Sequence, residues 1–270
     1  MAGIGGKLLK CFHTDSTIMA ERRLAANVST IGKIGQREIA SSCVGVAGLG
    51  GVGGIAFELI VRAGVGRIKI ADIGFFEESN ANRQSLWSKA SDGRKKTEVA
   101  EEFAASVNER CKISKFGEIK AANAVSFAKN CTAIIDATDR AHSRLAVWRG
   151  CKKAGVPYIF ASALGARGML SVFRGRKDFE KEFNIKRDAK SSFFSCGSQD
   201  AAESHGVGQR AFSHRAAPCD HSLGPVANAM GCLAAQQAMN IILGKRAAEF
   251  PEIISIDAFS TRQVSLHSFR

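Results

Sequence analysis

The feature that most constrains this chain is a short apolar run, Cys43-Val44-Gly45-Val46-Ala47, that enters a turn with five glycines in seven residues, Gly48-Leu49-Gly50-Gly51-Val52-Gly53-Gly54. An apolar run of that length, bounded at once by glycine, reads as a strand buried on both faces. Ile55 to Ala63 then reads as a helix, and Arg67-Ile68-Lys69-Ile70-Ala71-Asp72 as the next strand. Strand, helix and strand together make one parallel crossover unit.

The alternation continues. Helices are predicted over Lys95 to Glu109, Ala121 to Lys129 and Ala141 to Ala154, and strands over Lys112 to Ile119, Cys131 to Asp136 and Pro157 to Ala161. Such alternation implies an α/β fold with a Rossmann-like, doubly wound, mainly parallel sheet. Gly168 to Arg174 and Ile253 to His267 look like strands without crossover helices, so the C-terminal strands are expected to be antiparallel. Leu223 to Leu243 is apolar and Ala-rich, a buried helix. Ser16 to Gly35 is loosely helical and Gln36 to Ser42 reads as a second short helix, giving an N-terminal helical segment over 1–42. Arg176 to Lys190 is charged and Ser191 to Pro218 is rich in small residues and His, so 176–218 is expected to be a mobile crossover-type loop.

At 270 residues and 45% hydrophobic, without a Pro- or Ser-rich linker, the chain is expected to form a single domain over 1–270. The longest apolar stretch, Val44 to Val61, is interrupted by glycines and Glu58, which excludes a spanning helix there. The first ten residues lack the apolar core of a secretory signal. Eight cysteines are scattered without a CxxC pair, so neither structural zinc nor a disulfide framework is expected, and reduced thiols in a cytoplasmic compartment are the simplest account. The net charge of +13 favours anionic partners: nucleotide phosphates, an acidic protein or RNA.

Gly48-x-Gly50-x-x-Gly53, with Gly51 among them, lies between strand and helix, where backbone N–H groups and the helix dipole meet phosphate oxygens. Asp72 ends the following strand, where a carboxylate accepts hydrogen bonds from ribose hydroxyls. NAD or FAD would satisfy this much equally well, and a tight turn that binds nothing is the plainer alternative. Asn80-Ala81-Asn82-Arg83-Gln84 and Lys96 add cations able to neutralise a triphosphate and a departing pyrophosphate. Asp136-Ala137-Thr138-Asp139 ends another strand, and Asp139 is a natural Mg²⁺ ligand beside phosphates. Taken singly, Arg83 could be a surface ion pair, Lys96 a solvated helix residue and Asp139 a helix N-cap. The set in this order favours ATP.

At these residues the sequence resembles the ThiF/MoeB/HesA family, the ubiquitin-activating-enzyme-like adenylyltransferases. The resemblance runs from about Gln36 to Ala258, on the glycine turn, Ala63-Gly64-Val65-Gly66, Asp72, Asn80-x-x-Arg83-Gln84, Lys96, Asp136-Ala137-Thr138-Asp139 and Leu223-Gly224-Pro225-Val226. It implies ATP–Mg²⁺ chemistry: a carboxylate, typically the C-terminal glycine of a ubiquitin-like or sulfur-carrier protein, attacks the α-phosphate to give an acyl-adenylate and pyrophosphate. It places Asp72 on ribose, Arg83 and Lys96 on phosphates and Asp139 on the metal, with Asn80 and Gln84 shaping the pocket. It also implies a homodimer and an N-terminal arginine delivered by the partner subunit, for which Arg22 and Arg23 are the candidates. Relatives place a nucleophilic cysteine where Cys219 stands, so the acyl group could pass to it as a thioester; an unreactive cysteine at a helix start is the alternative. Cys196 is a poorer candidate, and His205 and His214 read as polar loop residues. Two further readings stand on the same fold. One is an ATP-dependent dehydratase acting on threonylcarbamoyladenosine in tRNA; the other is a peptide-modifying adenylyltransferase. A non-enzymatic or NAD-linked protein would leave Arg83, Lys96 and Asp139 without a role. No separate rhodanese, ubiquitin-fold or large catalytic-cysteine domain is expected.

Overall fold

The computed structural model describes residues 22–175, 177–183 and 222–268. Eight strands form one sheet: β1 (Cys43–Ala47), β2 (Arg67–Ala71), β3 (Lys112–Phe116), β4 (Ala133–Asp136), β5 (Tyr158–Leu164), β6 (Arg167–Phe173), β7 (Glu252–Asp257) and β8 (Val264–Ser268). Their order is β3-β2-β1-β4-β5-β6-β7-β8. The first five are parallel, and β5 through β8 pair antiparallel. The chain direction reverses its spread between β1 and β4, which opens a crevice at the carboxyl ends of those two strands.

The helices are α1 (Ala25–Ser41), α2 (Gly51–Ala63), α3 (Lys96–Val107), α4 (Ala124–Ala128), α5 (Ala141–Ala154), α6 (Phe179–Glu182) and α7 (Gly224–Ile242). Side chains alternate across a strand, so each buried strand feeds two cores. Val44, Val46, Ile135, Ile159 and Ala161 join the core under α1, α2, α3 and α7; Cys43, Ala47, Ile134, Tyr158 and Phe160 join the core under α4 and α5. In the second core Trp148, Tyr158, Phe173 and Phe179 pack as tilted and edge-on rings with centroids 5.1 to 6.2 Å apart, the arrangement aromatic quadrupoles favour. No helix among the described residues is long and apolar enough to cross a membrane.

The strands and helices fall within a few residues of their predicted bounds, with three differences. The helices expected on either side of Gly35 meet instead at Gly32, whose φ of 73° and ψ of 170° break α1. The helix expected from Ala121 begins at Ala124, because Asn123 turns back to accept from the Lys120 N–H at 2.7 Å and donate to the Glu118 carbonyl. The strand expected over Ile253 to His267 is two strands of a hairpin. The N-terminal segment before Arg22 and most of the 176–218 loop lie outside the described residues.

Candidate active site

The glycine turn is shaped by two close approaches. Gly48 has φ of 85°, and a Cβ there would meet the Ala137 carbonyl at 2.7 Å; a Cβ on Gly53 would lie 1.8 Å from the Gly48 carbonyl. Both positions require glycine for steric reasons. Gly50 is different: among the described residues nothing lies within 4 Å of where its Cβ would be. The N-terminal turn of α2 therefore opens into free space. A helix start leaves its first N–H groups without intrahelical partners and carries the positive end of the dipole.

That space is a cleft of about 760 Å³ at the carboxyl ends of β1, β2 and β4. Gly48, Gly50, Gly51, Asp72, Asn80, Arg83, Gln84, Lys96 and Asp139 all line it. Gly53 does not, and its contribution is to let α2 approach the turn. Asp72 sits just past β2 with one oxygen accepting from the Leu49 N–H at 2.6 Å and the other from the Gly74 N–H at 2.7 Å. The carboxylate thus ties the glycine turn to the next loop, and its remaining lone pairs face the cleft wall where a sugar hydroxyl could donate. Lys96 is the first residue of α3 and half-buried, with its ammonium 5.7 Å from the Phe76 ring centre and without a carboxylate partner among the described residues. Arg83 donates to the Ser79 carbonyl and to Asn82 Oδ1, both at 2.8 Å, and likewise has no carboxylate partner among the described residues. Asp139 is exposed and forms neither a hydrogen bond nor an ion pair with them; helix α5 starts at Ala141 with Arg140 as its N-cap, so Asp139 is not the cap. Asn80 is buried and closes a tight turn by accepting from the Glu77 N–H, while buried Gln84 leaves its Oε1 without a partner among the described residues.

Arg23 is elsewhere. Its guanidinium donates to Asn108 Oδ1 at 2.9 Å, and Asn108 in turn donates to the Val61 and Val65 carbonyls at the far end of α2. Within one chain it stands near the amino-terminal ends of β2 and β3, opposite the cleft. Cys219, Cys196, His205 and His214 lie outside the described residues.

Beneath Asp139 lies a buried network that sequence reasoning passed over. Asp136 accepts from the Thr138 N–H and hydroxyl through one oxygen and from the Tyr158 hydroxyl at 2.6 Å through the other. Arg144, 2% exposed, donates to the Asp136 and Ala161 carbonyls and lies over the Phe160 ring. Burial, followed by the Asp136 charge, pushes the Tyr158 phenol well above its ordinary value, so it stays a donor. The signal was available: Arg144 interrupts the apolar stripe Ala141, Leu145, Trp148, and a cation inside such a stripe needs buried acceptors. Asn228 of α7 is a second missed residue. With its amide nitrogen turned to them, it donates to the Gly51 carbonyl at 3.2 Å and the Arg83 carbonyl at 3.0 Å. Close packing brings α7 there, since a Cβ on Gly224 would lie 2.2 Å from the Asn82 carbonyl and one on Gly231 1.8 Å from Ile55.

The ThiF family model matches residues 21–270. The sulfur carrier protein ThiS adenylyltransferase of Bacillus subtilis is 32% identical over 52% of this chain and 42% of its own length. The molybdopterin-synthase adenylyltransferase of Salmonella typhimurium is 32% identical over 53% of this chain and 58% of its own. The chain thus spans less than two thirds of either relative. Among solved structures, E. coli MccB matches 100% of this chain and 78% of its own with a TM-score of 0.69 at 18% identity. PaaA matches 91% and 72% with a TM-score of 0.66 at 16% identity. These likenesses extend over the sheet and its helices and show a shared fold.

Proposed function

The chain belongs to the ThiF family, and we propose that it uses ATP to adenylate the C-terminal carboxylate of a ubiquitin-like or sulfur-carrier protein. The observation that carries this reading is the convergence of Arg83, Lys96 and Asp139, none ion-paired within the described residues, on an open helix N-terminus at one cleft. Two uncompensated cations with a free carboxylate suit a triphosphate and its metal ion better than a dinucleotide, whose pyrophosphate is held largely by the helix N-terminus. The relative from Bacillus subtilis, named as the adenylyltransferase of the sulfur carrier protein ThiS, supplies the substrate class.

In this reading the N–H groups at the start of α2 hold phosphate oxygens and Asp72 holds the ribose. Arg83 and Lys96 stabilise the charge that grows on the α-phosphate and on the departing pyrophosphate, in the manner of fixed cations aimed at a transition state. The attacking carboxylate oxygen forms a bond to the α-phosphorus as the bond to pyrophosphate breaks. Asp139 is the residue that would hold Mg²⁺. No cluster of three or more acidic, His or Cys side chains occurs among the described residues. A lone carboxylate suits an ion that takes most of its ligands from phosphates and water. When bound, that ion neutralises phosphate charge. The buried Asp136–Tyr158–Arg144 set fixes the loop that carries Asp139. Arg23 could serve a cleft only if a second copy delivered it, so a homodimer belongs to the reading, and so does a cytoplasmic location, where ATP is abundant.

The test is ATP–pyrophosphate exchange with candidate substrates. Exchange that requires a carrier ending in Gly-Gly, and disappears when the carrier's last residue is removed, is the expected result. Exchange driven by a short peptide, or ATP turnover driven by tRNA, would replace the carrier with that substrate. Absence of any nucleotide binding would end the reading.

A further inference from the structure

A pair of thiols lies at the amino-terminal ends of the central strands β1 and β4, opposite the cleft. Cys43 opens β1 and Cys131 precedes β4 by two residues, and the parallel pairing of Val44 with Ala133 sets them side by side. Their Sγ atoms are 3.5 Å apart, and the Thr132 N–H donates to the Cys43 carbonyl at 2.7 Å, which fixes the approach. Cys43 and Cys131 are 4% and 9% exposed, and Cys131 follows directly on the exposed turn Lys129–Asn130, where Asn130 has φ of 64°. Lys69, on the neighbouring β2, extends over the pair's surroundings and donates to the Ser126 and Lys129 carbonyls, both at 2.8 Å. A fixed cation therefore stands beside two thiols in contact.

The charges around the pair divide its two members. The contact with Cys131, together with the charges of Lys69 and Arg67, outweighs burial and brings the Cys43 thiol down to about 7. Cys131 is pushed up by its partner and by burial. Burial pushes the Cys111 thiol up to about 12, outweighing the nearby Arg23 charge, and burial also holds Cys151 well above the ordinary thiol value.

We propose that Cys43 and Cys131 are an oxidisable dithiol that reacts with a hydroperoxide and closes to a disulfide. The Cys43 thiolate attacks the peroxide oxygen, the O–O bond breaks, and a sulfenic acid and water result. The Cys131 sulfur then attacks the Cys43 sulfur, releasing the second water, with the two thiol protons carried off in the waters. Two thiols and one hydrogen peroxide give one disulfide and two waters. The inference is independent of the adenylation reading, since neither residue lines the cleft.

The experiment uses the whole purified chain. It is treated with less than one equivalent of hydrogen peroxide, alkylated and peptide-mapped. The expected product is a single linked pair of peptides bearing Cys43 and Cys131, lost on reduction with dithiothreitol. Without peroxide, iodoacetamide should modify Cys43 more than tenfold faster than Cys111 or Cys151 at pH 7, with the rate rising to half its maximum near pH 7. In Cys131→Ser the sulfenic acid at Cys43 should persist and be trapped by dimedone. Both maps read the unsubstituted chain, so a variant that fails to fold does not spare the proposal. Free Cys43 and Cys131 after the other cysteines have oxidised would overturn it, as would alkylation of Cys43 no faster than of Cys111.

Discussion

Two glycine-bearing turns stand at opposite ends of α2, and they demand glycine for the same steric reason while doing different things. At the N-terminal end a Cβ on Gly53 would lie 1.8 Å from the Gly48 carbonyl; at the other end a Cβ on Gly66 would lie 2.0 Å from the Ala40 carbonyl. Each is a place where backbone meets backbone. The neighbours differ. Gly50 faces nothing within 4 Å among the described residues, whereas Gly64, with φ of 91°, is closed over by Gln36 and Leu24. A glycine can thus mark a filled contact or an open door, and only the surroundings distinguish them. The first turn meets the cleft; the second receives α1 and completes the core.

The comparison can be broken from its strongest point down. Gly53→Ala and Gly66→Ala should each cost about 3 kcal/mol or more, because backbone must move in both; thermal denaturation in which only one destabilises would end the symmetry. Lys96→Ala and Asp139→Ala act at the open end alone. Each should lower ATP–pyrophosphate exchange by about 10²–10³-fold with an unchanged melting midpoint. Gly50→Ala should reduce exchange about tenfold, roughly 1.4 kcal/mol, and alter unfolding by no more than about 0.5 kcal/mol. Equal loss of stability at Gly50 and Gly53 would mean the door is not open. Gly64→Ala, at the closed end, should cost about 1–2 kcal/mol of stability through its left-handed backbone and leave exchange intact at temperatures where the protein stays folded.

Much of this was legible from residue order. Period and punctuation located the parallel strands, the antiparallel C-terminal strands and the buried helix from Gly224 to Ile242, because apolar runs ending in glycine or a carboxylate have few other uses. The residues gathered at the cleft were legible for a related reason: in a parallel sheet the functional loops all follow strand ends, so Asp72 and Asp139 had to lie on one side. What escaped notice depends on contacts between distant segments. Asn228 is an unremarkable polar residue in an apolar helix until Gly224 and Gly231 bring that helix against the turn. Arg144 interrupts an apolar stripe, but its acceptors, the Asp136 and Ala161 carbonyls, come from other strands and are visible only in the fold. Gly32 gave no sign that it, rather than Gly35, would break the first helix, since an isolated glycine within a helical run is compatible with either. Arg23 illustrates the limit from the other side, because its number says nothing about which edge of the sheet, or which copy, it would serve.

Asp72 has a consequence for how the cleft moves. Its two oxygens hold the Leu49 and Gly74 amides, so the loop after β1 and the loop after β2 share one fastener. The loop after β1 cannot swing out without giving up the Leu49 bond, whereas the Gly74 bond lies within the loop that carries Asp72 and survives that motion. In deuterated solvent both amides, although they sit at the lip of an open crevice, should exchange slowly, with Leu49 reporting the separation of the two loops. A bound sugar donating to the same carboxylate would slow both together.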